Sequence, residues 1–188
     1  IRDAFIYLSQ KYGLIYNGDL FTLVPQEMGD PRGWFGTVEA VFDRAKRPAQ
    51  KEFLRMLEAR YRDVPGISWD LFNEPFLVAD AEVAEWAADL GTVFDKLASP
   101  RLITVGGPYH IGATVDYDSP HGRISDDFFN QHALPVLLQE LHLDRPEPLA
   151  AERQQAEDVR YYVVLALRNG LAGVCPWSWT RQMRLWQD

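Results

Sequence analysis

SWDLFNEPFL, residues 68–77, is the stretch whose reading decides the fold. Its mainly apolar first half stops at Asn73 and Glu74, an amide and a carboxyl side by side, with Pro75 directly behind them. A run of this kind belongs to a strand buried on both faces, as in a parallel sheet covered by helices. Ligands of parallel α/β folds bind at the carboxyl ends of the strands, so polar residues there are the informative ones. Neighbouring residues on a regular strand point to opposite faces. For Asn73 and Glu74 to serve one ligand, the backbone must bulge or turn at this point. Pro75 lacks an N–H donor and helps to end the pairing.

Outward from this strand, helical and strand-like patterns alternate. Residues 4–12 carry apolar side chains at helical spacing and end at Gly13, and LIYNGDLFTLV (residues 14–24) reads as a strand. PQEMGDPRGW is a surface connection, and residues 37–61 read as helix, restarted at Pro48. After the opening strand, Val83, Trp86, Ala87, Leu90, Val93, Phe94 and Leu97 keep the 3–4 spacing of an amphipathic helix, stopped by Ser99-Pro100. RLITVGG is a strand, ATVDYDSPH a second, and ISDDFFNQH a short helix with Ser125 placed to cap it. LPVLLQE is a further strand that closes on Glu140. Residues 151–169 are helical up to Gly170, and LAGVCPWSW is a last strand, expected to be buried together with its thiol, Cys175. The order is that of a parallel sheet covered by helices. Six strands are counted, two short of an eight-stranded barrel, and no strand is followed by the Gly-rich fingerprint of a dinucleotide site.

With 188 residues, 47% of them hydrophobic and 24% charged, the chain has the size and composition of one globular domain. Its net charge of -8, with no basic cluster, opposes binding to nucleic acid. No apolar run approaches the roughly 18 residues of a membrane span. The lone Cys175 excludes an intramolecular disulfide and a cysteine-based metal site, and the four histidines match no recognised metal spacing, so neither a metal nor a cofactor is expected. The sequence assigns neither compartment nor oligomeric state.

Two strands end in glutamate, Glu74 and Glu140, each preceded by an amide, Asn73 and Gln139. A single such residue reads best as a helix cap or an arginine partner, because an ionised carboxylate at a buried strand end needs compensation. Two in one chain point instead to the paired carboxylates of glycosidic bond cleavage, one held protonated and one ionised.

LFNEP (Leu71 to Pro75), with its approach YRDVPGISWD, resembles the Asn-Glu-Pro motif on the fourth strand of the clan A glycoside hydrolases. These are retaining (β/α)8 barrels and include glycoside hydrolase family 5. PVLLQEL (Pro135 to Leu141) resembles the seventh strand of that clan, which ends in the nucleophile. The resemblance implies a TIM barrel with strands three to eight in residues 1–188 and the first two βα units missing, so a single, N-terminally incomplete catalytic domain. It implies Glu74 as general acid/base, Glu140 as nucleophile, Asn73 on the sugar 2-hydroxyl, His121 at the end of the sixth strand and Trp177 as the eighth-strand floor. The activity implied is retaining hydrolysis of β-linked glycosides or polysaccharides, with a carbohydrate substrate and no cofactor. One departure is DLFT, which offers Phe21 where the third strand of family 5 often ends in histidine.

Trp34, in the loop DPRGWFG, is a candidate for stacking on a sugar at an outer subsite, and Tyr109 and His110 for lining the cleft. Trp69 and Trp86 are assigned to the core. A non-catalytic carbohydrate-binding barrel that keeps the aromatic floor is the alternative function. A third reading, an open α/β domain, would pair the strand-end glutamates with arginines such as Arg101 or Arg123.

Overall fold

The computed structural model describes residues 2–22, 38–76, 78–107, 111–122, 124, 135–142 and 149–177. It divides into two compact units, residues 1–118 and 119–188.

In the first unit, helix α1 (Arg2–Tyr12) leads into strand β1 (Tyr16–Thr22). Helix α2 (Val38–Phe42), a short 3-10 turn (Arg44–Lys46) and helix α3 (Arg47–Tyr61) precede β2 (Ile67–Asn73). Helix α4 (Asp80–Leu97) and β3 (Leu102–Gly106) follow. The strands form one parallel sheet in the order β1-β2-β3. The helix boundaries obey local chemistry. Gly13 takes the left-handed φ of +66° that ends α1, Pro48 sits in the first turn of α3, where no N–H is needed, and left-handed Ala98 closes α4.

The core of this unit lies between the sheet and helices α2–α4. Phe72 packs its ring 5.3 Å from Phe42 and 6.1 Å from Trp86, and Phe21 packs 5.5 Å from Trp86 and 6.0 Å from Phe53. Trp69 and Trp86 are fully buried, as their assignment to the core predicts. Their indole N–H groups are satisfied, Trp69 donating to Glu58 (2.9 Å) and Trp86 to Gln50 (3.1 Å). The same Glu58 lies 3.8 Å from Nε of Arg101, whose guanidinium also donates to the carbonyl of Tyr61. Arg101 is therefore engaged at the amino end of β3, the opposite end from Glu74, and the arginine pairing of the open-sheet reading is not made by Arg101.

Another group of side chains on this sheet is polar. Ser68 Oγ donates to Asn17 Oδ1 (3.0 Å), the Tyr117 hydroxyl reaches both, and Asp70 beside them is fully buried.

In the second unit, β4 (Leu137–His142) pairs in parallel with β5 (Gly173–Trp177), and helix α5 (Leu149–Asn169) connects them. Leu138 and Leu141 of β4 pack with Tyr162 and Leu165 of α5.

Several expectations are corrected. Five strands, not six, are named among the described residues: residues 113–121 form a 3-10 turn, bends and isolated bridge residues at Asp118, Ser119 and His121. One backbone bond to β3 remains, from the Asp116 N–H to the Ile103 carbonyl (2.9 Å), while side chains take other groups, with Asp116 Oδ2 accepting from the Ile103 N–H and Thr104 Oγ1 donating to the Tyr117 carbonyl, both at 2.8 Å. Glu140 does not end its strand, because β4 runs on to His142. Cys175 and Pro176 are exposed, where the apolar run had predicted burial. Among the described residues β5 has one strand partner, β4, so its composition does not translate into a doubly covered position. The helix expected over ISDDFFNQH lies outside the described residues apart from Ile124, which is not helical. No described helix is long and apolar enough to cross a membrane.

Candidate active site

The end of β2 departs from regular geometry as Asn73-Glu74 requires. Along β1 the register is continuous, Asp19 opposite Asp70 and Thr22 opposite Asn73. Against β3 it slips: Asp70 faces Thr104 and Asn73 faces Gly106, so β2 holds one more residue than its partner over that span. This is a bulge. Its effect shows in the packing, where Trp69 and Phe72 both meet the helix layer although strict alternation would put residues three apart on opposite faces.

Glu74 follows with φ +62°, a left-handed conformation costly for a residue with a Cβ. Two backbone bonds fix the turn: the Glu74 N–H donates to the Gly106 carbonyl (2.9 Å), and the Phe76 N–H returns to the Glu74 carbonyl (2.8 Å). Pro75 between them has no donor to leave unpaired. Asn73 and Glu74 are half-buried, and Asn73 Oδ1 is buried with no hydrogen-bond partner among the described residues. A buried amide oxygen in that state is an acceptor awaiting a donor such as a hydroxyl.

In the second unit, Glu140 is half-buried on β4, and the nearly buried His121 side chain stands beside it, Nδ1 to Oε2 3.7 Å. That is too long for a hydrogen bond and within reach of charge interaction when the imidazole is protonated. The backbone holds the two together: His121 and Glu140 form a parallel bridge, the Gly122 N–H donates to the Glu140 carbonyl (2.6 Å), and the Gln139 N–H donates to the Pro120 carbonyl (3.2 Å). His121 thus lies beside Glu140 without the predicted strand. Trp177 closes β5 in register with His142 of β4. Its ring, and Trp34, Tyr109 and His110, lie outside the described residues.

Asp70 is a residue the sequence reading passed over. It is fully buried, and its Oδ1 accepts from the Phe72 N–H (3.1 Å) and the Gly106 N–H (2.9 Å). The signal was present: a carboxylate inside an otherwise apolar strand must be compensated, and the nearest uncompensated donors are those a bulge creates.

No family model matches the chain. A curated protein of Aspergillus terreus, "Probable mannan endo-1,4-beta-mannosidase C", is 30% identical over 106 residues, which is 48% of this chain and 26% of that protein. The catalytic domain of endoglucanase Cel5A from Thermobifida fusca superimposes on 97% of this chain with a TM-score of 0.63 at 16% identity. A variant of that domain in complex with cellotetraose gives the same values. The chain spans 62% of these structural neighbours, which are TIM-barrel catalytic domains, and about a quarter of the curated relative. Its own described strands are a three-stranded and a two-stranded parallel sheet, a partial α/β fold of that kind. Sequence and fold together relate the chain to the family-5-like glycoside hydrolases.

Proposed function

We propose that the chain carries the catalytic glutamates of a retaining O-glycoside hydrolase that cleaves β-linked glucan or mannan by double displacement. Its strands β1 to β5 read as the third, fourth, fifth, seventh and eighth of a (β/α)8 barrel, with the segment at His121 as the sixth. Glu74 protonates the leaving glycosidic oxygen and then activates water, while Glu140 attacks the anomeric carbon and forms the glycosyl-enzyme. This chemistry requires two carboxyl groups about 5–5.5 Å apart. Asn73 donates from its side-chain amide to the sugar 2-hydroxyl and accepts through Oδ1. Trp177 supplies the floor beneath the ring, and Trp34, Tyr109 and His110 extend the sugar contacts outward.

The observation that carries this reading is the end of β2: an acidic residue following a buried strand, lifted by a bulge and held in left-handed backbone beside an unpartnered amide oxygen. A merely structural glutamate requires none of these. The substrate class rests on the relatives, one named for mannan and one determined with cellotetraose.

Labelling with the 2,4-dinitrophenyl 2-deoxy-2-fluoro-β-cellobioside and its mannoside counterpart, which release dinitrophenolate as the glycosyl-enzyme forms, followed by peptide mapping, tests the proposal. The expected result is one sugar on Glu140, with the preferred reagent naming the substrate. Label on another residue overturns the assignment. Sugar binding by titration with no label from either reagent favours the non-catalytic binding barrel.

A further inference from the structure

We propose that Asp70 is a positioning residue for the Asn73-Glu74 pair, acting through residue Gly106 of β3; the inference rests on the function proposed above. The extra residue of β2 between Asp70 and Asn73 costs the ladder its regular pairing with β3. Backbone donors released there are buried and need an acceptor. Asp70 Oδ1 supplies it, taking the Phe72 N–H from its own strand and the Gly106 N–H from the next. The Gly106 carbonyl in turn accepts the Glu74 N–H at 2.9 Å. One carboxylate oxygen therefore grips both sides of the bulge, and Gly106, whose N–H it holds on β3, is the residue whose carbonyl ties the Glu74 backbone. Asp70 is fully buried, so solvent does not compete for its two bonds to backbone N–H groups. All of this lies within residues 1–118, on one sheet.

The role asks for an acceptor at Oδ1, not for a proton carrier. Asp70→Asn keeps an oxygen there and is expected to stay within about threefold of wild-type kcat. Asp70→Ala removes the acceptor and lets the strand end relax. Displacement of a catalytic group by about 1 Å costs on the order of 10²-fold in rate. Asp70→Ala is therefore expected to lose about 10²-fold in kcat with KM changed less than threefold.

The experiment measures kcat and KM of wild type, Asp70→Asn and Asp70→Ala on β-glucan and β-mannan, together with residue-resolved hydrogen exchange. The exchange signature expected of Asp70→Ala is lost protection at Phe72, Gly106 and Glu74 with protection kept at the β1 amides. Wild-type kcat in a folded Asp70→Ala overturns the inference, as does exchange that rises uniformly across the sheet. If Asp70→Ala does not fold, Asp70→Asn decides: near-wild-type kcat with protected Gly106 supports the role, and a folded variant with kcat down 10²-fold overturns it. Should the wild type hydrolyse neither polysaccharide, the proposed function fails separately. The exchange pattern at the three amides then still upholds or overturns the grip of Asp70 on the strand end.

Discussion

Glu74 and Glu140 have different chemical tasks, and the difference can be read with two substrates. A general acid matters where the leaving group needs a proton, and its contribution is typically about 10²–10⁴-fold. Glu74→Gln is therefore expected to depress kcat/KM on β-glucan or β-mannan by about that factor. With a 2,4-dinitrophenyl glycoside, whose leaving group departs as the anion, the same variant is expected to form the glycosyl-enzyme at a near-normal rate. Glu140→Gln replaces the attacking carboxylate with a weakly nucleophilic amide and loses both reactions. Pre-steady-state release of dinitrophenolate distinguishes the two variants. Equal loss on both substrates in Glu74→Gln would remove the acid role from that residue. At this scale the sequence is informative about the paired glutamates and gives one sign of their support, a carboxylate inside an apolar strand. The Asn-Glu-Pro end of β2 stands out because polar residues follow a buried run, whereas Asp70 was passed over. Its importance depends on a strand slip that a single sequence does not display.

Among the elements, boundaries set by local chemistry were legible and those set by competition between side chain and ladder were not. Gly13, Pro48 and Gly170 mark helix ends through their own backbone preferences, and the structure follows them. Residues 113–121 read as a strand by composition, yet side-chain bonds of Asp116 and Thr104 supplement a single backbone bond to Ile103, and the segment keeps only isolated bridge residues.

The attachment of α1 to α3 has a pH dependence that follows from one contact. Arg60 grips the Asp3 carboxylate through Nε (3.1 Å) and Nη2 (2.5 Å), and the Tyr61 hydroxyl adds a third bond at 2.6 Å. The bond from Arg60 first, and that from Tyr61 next, hold the Asp3 carboxyl at about 2, below its ordinary 3.8. A carboxyl depressed in the folded state stabilises it fully above the ordinary value, and that contribution disappears as pH falls through about 2. The site is exposed, so salt weakens the effect. Thermal unfolding of wild type and Asp3→Asn should thus show a gap in Tm at pH 5 that closes as pH approaches 2. A gap of constant size across that range would assign the difference to something other than this carboxylate.

At the scale of the molecule, alternating apolar strands and amphipathic helices made a parallel α/β fold readable, and the order of the glutamate-bearing strands pointed to a glycosidase barrel. Burial was less readable. The run GVCPW is as apolar as β3, yet Cys175 and Pro176 are exposed, because burial depends on which neighbours a strand has and not on its own residues alone.

The left-handed backbone at Glu74 has a consequence for the stability of the whole chain. An αL residue bearing a Cβ costs roughly 1–2 kcal/mol relative to its ordinary conformation, and glycine escapes that cost. Urea unfolding should therefore find Glu74→Gly more stable than Glu74→Ala by about 1 kcal/mol, with both variants inactive; equal stabilities would mean that the strain is relieved elsewhere. Under selection for thermal endurance alone, position 74 would drift toward glycine. A glutamate kept there marks a place where usefulness and durability pull against each other, so a screen that rewards only heat resistance would tend to erase the activity.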